Sequence, residues 1–203
     1  MPNFSENFII SEKLNKIEKI TVWFRNETSL LVLWQTSFPA GEFTHYRASI
    51  VPPDAQENVI FVQREYEPTA QAQAAFKSLL PGKKYNISVQ TVHKNRVSLP
   101  SSASYRTVPL RPVNLAVDEE SLTSDSFRIS WEVPTGMSEF DGYQVSILNS
   151  LVSYYVPKTD EPVMWFDFNN DIFEPGKTYN VAVKTISGNV SSWPAVVNVT
   201  REK

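Results

Sequence analysis

The segment Leu79-Leu80-Pro81-Gly82-Lys83-Lys84-Tyr85-Asn86-Ile87-Ser88-Val89 returns ninety-four residues later as Phe173-Glu174-Pro175-Gly176-Lys177-Thr178-Tyr179-Asn180-Val181-Ala182-Val183. Pro-Gly specifies a turn, because proline presets φ and glycine takes a positive φ at little cost. The residues after it alternate apolar and polar, the period-two mark of a strand with one buried face. A chain that does this twice is constrained to two similar β units in tandem.

The flanks repeat as well. Leu30, Val32 and Trp34 alternate toward a buried tryptophan and are followed by Tyr46, Ala48 and Ile50; Phe127, Ile129 and Trp131 do the same, followed by Tyr143, Val145 and Ile147. Trp34 to Trp131 and Tyr46 to Tyr143 are each ninety-seven residues apart. The pattern assigns Trp34, Tyr46 and Tyr85 to one core and Trp131, Tyr143 and Tyr179 to another. A repeat with one tryptophan, one early tyrosine, a Pro-Gly-x-x-Tyr corner and no cysteine resembles the fibronectin type III domain. The resemblance implies an all-β fold of two immunoglobulin-like sandwiches, spanning 1–108 (with an N-terminal extension) and 109–203. It also implies a tyrosine corner, in which the hydroxyls of Tyr85 and Tyr179 bond back to the upstream backbone.

Between the repeats, Pro109-Leu110-Arg111-Pro112 carries two prolines and no glycine, which predicts a short, stiff linker and a semi-rigid rod. Residues 69–80 are the one place where propensities conflict. Alanine and glutamine favour helix, whereas Ala70, Ala72, Ala74 and Phe76 alternate with Gln71 and Gln73 as in a half-buried strand. The repeat requires a strand before the tyrosine corner, and strand is the expectation. Residues 1–13 are polar apart from Phe8, Ile9 and Ile10, and either lack structure or lie along the first sandwich.

The net charge of −3 is too small to point to nucleic acid. It is unevenly spread: residues 10–108 carry twelve Lys/Arg against eight Asp/Glu (+4), and residues 109–203 carry seven against thirteen (−6). Two electrically unlike halves suit modules with different neighbours. With no cysteine there is no disulfide frame and no thiol nucleophile. No run of eighteen apolar residues exists to span a membrane, and Met1-Pro2-Asn3-Phe4-Ser5 lacks the form of a signal peptide. Asn-x-Ser/Thr nevertheless occurs five times, at Asn3, Asn26, Asn86, Asn189 and Asn198, against roughly two by chance. That excess predicts an extracellular piece of a longer glycoprotein, with Asn86 facing solvent between inward Tyr85 and Ile87.

No catalytic chemistry is expected. His45 and His93 are the only histidines, and neither has an acidic or serine partner at motif spacing. No cofactor or metal ligand set is present in the pattern, and no loop cradles phosphate. Candidate binding residues are Lys83, Lys84, Lys94 and Arg96 at the two ends of the tyrosine strand and Arg47 beside it. Together they would suit a sulfated glycan or an acidic ligand, unless the strand holds them apart. Adjacent aromatics are a second candidate: of Tyr154/Tyr155 and of Trp165/Phe166, one member should face outward. Ser191-Ser192-Trp193 is half of a cytokine-receptor signature and is read as coincidence.

The two tyrosine strands, with Tyr-x-Ile/Val-x-Val-x-Thr and the Ser187-Gly188 loop, are similar to repeats of single-phosphatase-domain receptor tyrosine phosphatases of the insect neuronal type. That resemblance implies a ligand-recognition ectodomain of a single-pass receptor acting in cell-cell signalling or axon guidance, with an extracellular protein or cell-surface receptor as partner. The catalytic cysteine of such a receptor is not in this chain. The alternative is a passive spacer or adhesion segment of a cell-adhesion or matrix protein.

Overall fold

The computed structural model describes residues 8–36, 38–64, 71–123, 126–169, 173–174 and 176–200. Asn3 and Pro175 lie outside the described residues. The chain divides into two compact units, Met1–Leu80 with Lys84–Thr107 and Val108–Lys203 with Pro81–Lys83.

The first unit contains Ile9–Ile10 (β1), Ile20–Arg25 (β2), Leu30–Gln35 (β3), His45–Val51 (β4), Val59–Gln63 (β5), Gln71–Phe76 (β6), Lys84–His93 (β7), Arg96–Val97 (β8) and Ser101–Arg106 (β9). One sheet runs β2-β3-β6; the other runs β1-β8-β7-β4-β5, with β9 also on β7. Residues 71–76 are strand, with every second side chain buried, so pairing with β3 overrides the helix propensity of alanine and glutamine. Residues 9–10 do lie along the sandwich, parallel to β8.

The second unit repeats the plan with Val113–Asp118 (β10), Ser126–Glu132 (β11), Gly142–Ile147 (β12), Ser153–Pro157 (β13), Val163–Asn169 (β14), Thr178–Ser187 (β15), Val190–Ser191 (β16) and Ala195–Thr200 (β17). Its sheets are β10-β11-β14 and β13-β12-β15-β16, with β17 on β15. The acidic loop after β10 is a single 3-10 turn, where the Asp118 carboxylate accepts from the Glu120 N–H at 3.2 Å.

Each unit buries its own core. Trp34 meets Tyr46 edge-on at 5.4 Å, and Trp131 meets Tyr143 the same way at 5.3 Å. Phe43 and Phe140 pack on the respective tyrosines. Burial pushes the Tyr46 and Tyr143 hydroxyls up from the ordinary tyrosine range. The second core adds a chain of rings with no counterpart among the described residues of the first, in which Phe127, Phe168 and Phe173 lie 4.8–5.7 Å apart.

Both tyrosine hydroxyls accept from the backbone N–H five residues upstream: Leu80 to Tyr85 at 2.9 Å and Glu174 to Tyr179 at 2.8 Å. Tyr85 is fully buried and also donates to Asp54 at 3.0 Å, whereas Tyr179 is half-buried. Tyr85→Phe is therefore expected to cost about 1 kcal/mol or more, and Tyr179→Phe less, because the Tyr85 bonds are partly buried and the Tyr179 bond is open to solvent. Urea unfolding of the two variants checks the order.

A second repeated device is buried and polar. The Thr91 hydroxyl donates to the Asn15 carbonyl at 2.9 Å, and the Thr185 hydroxyl to the Leu110 carbonyl at 2.6 Å, each pinning the segment that leads into the first strand. The Thr91 N–H is taken by Ser98 Oγ at 3.1 Å and the Thr185 N–H by Ser192 Oγ at 3.0 Å. Ser192 thus repeats Ser98, which gives the Ser191-Ser192-Trp193 triplet a structural reason.

Candidate recognition surfaces

The four described sequon asparagines stand at the surface. Asn86 is exposed on β7, facing away from the core, as is Asn198 on β17. Asn26 is half-buried before β3, and its side chain accepts from the Thr28 N–H at 2.9 Å. Asn189 is exposed in the turn between β15 and β16.

The candidate cations are not gathered in one place. Lys84 opens β7 opposite Arg106, while Lys94 and Arg96 lie beyond its other end, ten strand residues away; at about 3.3 Å per residue the two groups are some 30 Å apart. Arg47 faces outward from the middle of β4, donates to Gln90 Oε1 at 3.1 Å and lies 5.9 Å over the Phe8 ring. Lys83 is half-buried. Lys94 and Arg96 instead share a recess of about 420 Å³ with Lys13, His93 and Glu42. Lys13 was invisible to sequence reasoning because only the parallel pairing of β1 with β8 brings its segment there.

The turn beside this recess is strained. Lys94 takes a φ of 54° at the position where the second unit has Gly188 with 57°. A side chain in that left-handed region costs about 1–2 kcal/mol, less the entropy glycine loses on folding. Lys94→Gly is accordingly expected to stabilise the first unit by about 0.5–1 kcal/mol, measured by denaturant midpoint.

The outward aromatics are Tyr155 and Trp165, 59% and 56% exposed, while Tyr154 and Phe166 turn to each other at 5.0 Å along the core edge. Sequence reading missed Trp23. A register shift between Val22 and Phe24 interrupts the β2 alternation and leaves Trp23 74% exposed.

Trp165 is not bare. The Arg128 guanidinium lies 4.3 Å over its ring and forks onto Asp167, with Nε to Oδ1 at 2.7 Å and Nη2 to Oδ2 at 2.9 Å. The hydrogen bond from Arg128 holds the Asp167 carboxyl below the usual carboxylate range. A depressed folded-state pKa contributes stability above the unfolded-state value near 4 and loses it as pH falls through the folded-state value. The stability difference between wild type and Asp167→Asn should thus be present at neutral pH, disappear on acidification, and shrink in high salt because the pair is partly exposed to solvent. Denaturant titration across pH checks it.

On the second unit, Tyr155, Gln144, Ser153, Asn189 and Ser191 line an open recess of about 480 Å³. Among the described residues no group of acidic, histidine and cysteine side chains is disposed to hold a metal ion, and no helix is long and apolar enough to cross a membrane.

Comparison with known proteins agrees with this architecture. The chain is 29% identical to mouse tenascin-N over 177 residues, 85% of this chain and 10% of that protein. It is 31% identical to human tenascin-R over 129 residues, 60% of this chain and 9% of that protein. It spans about a tenth of the length of these relatives. Among solved structures, a two-domain fibronectin type III segment from chicken tenascin superposes with a TM-score of 0.53 at 22% identity, covering 91% of this chain and 98% of that one. The Fibronectin type III domain family matches twice, at residues 15–107 and 110–198. The chain belongs to the fibronectin type III family.

Proposed function

We propose that the chain is a tenascin-like segment of an extracellular adhesion or matrix protein, which holds neighbouring domains at a distance and offers its sheet faces to ligands. The observation that carries the reading is the pair of family matches, which use nearly all of the chain for two sandwiches. The tenascin relatives and the surface position of the four described sequon asparagines support it. A receptor tyrosine phosphatase ectodomain, implied by the resemblance of the tyrosine strands, has no support in the relatives named above. The adhesion or matrix alternative is the better-supported reading. The test is binding of the tagged chain to cells and to deposited matrix. Selective, saturable binding supports a recognition segment, and none at micromolar concentration leaves a spacer.

The recess formed by Lys13, His93, Lys94 and Arg96 is the candidate seat for an anionic partner such as a sulfated glycan. On a heparin column, Lys94→Glu/Arg96→Glu should elute earlier than wild type, and Lys83→Glu/Lys84→Glu should not. Equal retention of all three removes the site.

A further inference from the structure

We propose that the recess beside Tyr155 is the seat of the first sugar of an N-linked glycan carried by Asn189. The inference rests on the extracellular reading given above. Attachment point and recess are one feature, because Asn189 and Ser191 of the sequon line the same hollow as Tyr155 and Gln144.

The platform is fixed in advance. The Tyr155 ring lies against bare backbone at Gly142, where a β-carbon would stand 2.5 Å from the hydroxyl oxygen and 2.7 Å from ring carbon Cζ. Its hydroxyl donates to the Asp141 carbonyl at 3.2 Å. The Asp141 carboxylate in turn accepts from the Gly188 N–H at 2.6 Å, so one residue holds both the aromatic ring and the turn that carries Asn189. That turn has glycine first, at φ 57°, and the acceptor asparagine second, which presents the amide at the tip of a tight hairpin. A pyranose ring has one face made of C–H groups, which packs on an aromatic face, and a polar edge, which Gln144 and Ser153 can meet. Those two are already bonded to each other at 2.9 Å.

In the first unit the equivalent aromatic has a neighbouring ring from the same chain. Arg47 pairs with Phe61 across β4 and β5 as Gln144 pairs with Tyr155 across β12 and β13. There Phe8 sits 6.4 Å from the outward Phe61, between ring centroids, under the Arg47 guanidinium, and leaves Phe61 49% exposed. The corresponding turn, Lys94-Asn95-Arg96-Val97, has no sequon. In the second unit Tyr155 faces the open recess, and the sequon stands at its rim.

The modification consumes a lipid-linked oligosaccharide pyrophosphate. The bond from sugar C1 to the pyrophosphate oxygen breaks, C1 bonds to Asn189 Nδ2, the lipid pyrophosphate leaves and the amide releases a proton.

To test this, the full chain is secreted from eukaryotic cells and its glycans are trimmed to a single N-acetylglucosamine. Occupancy is mapped by peptide mass spectrometry. Melting is then compared for wild type, Ser191→Ala (which removes the sequon), Tyr155→Ala and the double variant. Asn189 should be occupied. Ser191→Ala should lower the melting temperature by roughly 2–6 °C with Tyr155 present and by about 1 °C or less with Tyr155→Ala. Nuclear Overhauser contacts between the Tyr155 ring and the sugar in the wild type give a readout that needs no variant to fold. An empty Asn189 with glycan at Asn86 or Asn198 overturns the inference and leaves the extracellular reading standing. A secreted product bare at every sequon overturns both. An occupied Asn189 with the same shift in both backgrounds, or without ring-to-sugar contacts, overturns the seat.

Discussion

Alanine in place of Trp34 or Trp131 is expected to lower stability by about 3–5 kcal/mol. Each indole is at most 2% exposed and stands edge-on to a buried tyrosine, with Phe43 or Phe140 packed on that tyrosine. Removing it forfeits the transfer energy of the largest side chain in the core and leaves a cavity whose rigid walls, two hydrogen-bonded sheets, cannot collapse into it. The loss should fall on one unit at a time, since Trp34 and Trp131 belong to separate cores. Calorimetry of each variant should show one transition moved to low temperature and one left near its wild-type position. Coincident loss of both would mean that the cores are not independent. The second core, with its additional rings Phe127, Phe168 and Phe173, should tolerate the substitution better than the first.

Gly142→Ala is expected to be the next most costly change, at about 1–3 kcal/mol. The added carbon would lie 2.6 Å from the Val156 carbonyl oxygen as well as against the Tyr155 ring. The ring can swing away, but the carbonyl belongs to the β12–β13 ladder and cannot move without breaking pairs there. Combining Gly142→Ala with Tyr155→Ala should consequently recover part of the loss and not all of it. Full recovery in urea unfolding would show that the backbone contact is tolerated. Because φ at Gly142 is not positive, the cost is one of space alone.

The architecture was legible because its signals are local and occur twice. The Pro-Gly corner, the alternation into Trp34 and Trp131, and the tyrosine spacing each depend on residues close together in sequence. Repetition also decided residues 71–76, where alanine and glutamine pointed to helix and pairing with β3 wins. The surface was less readable. Lys94 and Arg96 gain Lys13 as a neighbour only through the parallel pairing of β1 with β8, a contact across more than eighty residues. Trp23 is exposed by a register shift that no alternation predicts. The tie from Tyr155 through Asp141 to Gly188 joins strand β13, the loop before β12 and the turn between β15 and β16. A signal for it did exist in Gly142, since a glycine inside a strand often marks a close approach. The tenascin relatives lend no support to the finer functional expectation of a receptor phosphatase and fit its adhesion or matrix alternative better.

Residues 9–11 are tied to the β8 edge by main-chain bonds, Ile9 N–H to the Asn95 carbonyl at 2.9 Å and Ser11 N–H to the Val97 carbonyl at 2.8 Å, while both isoleucine side chains are more than half exposed. A strand with so little buried apolar surface detaches at a small fraction of the free energy that unfolds the sandwich behind it. Each detachment bares the Asn95 and Val97 carbonyls at the short β8 edge, main-chain groups that another strand could pair with. The extension therefore serves as a cover for the β8 edge, which its removal would open to solvent.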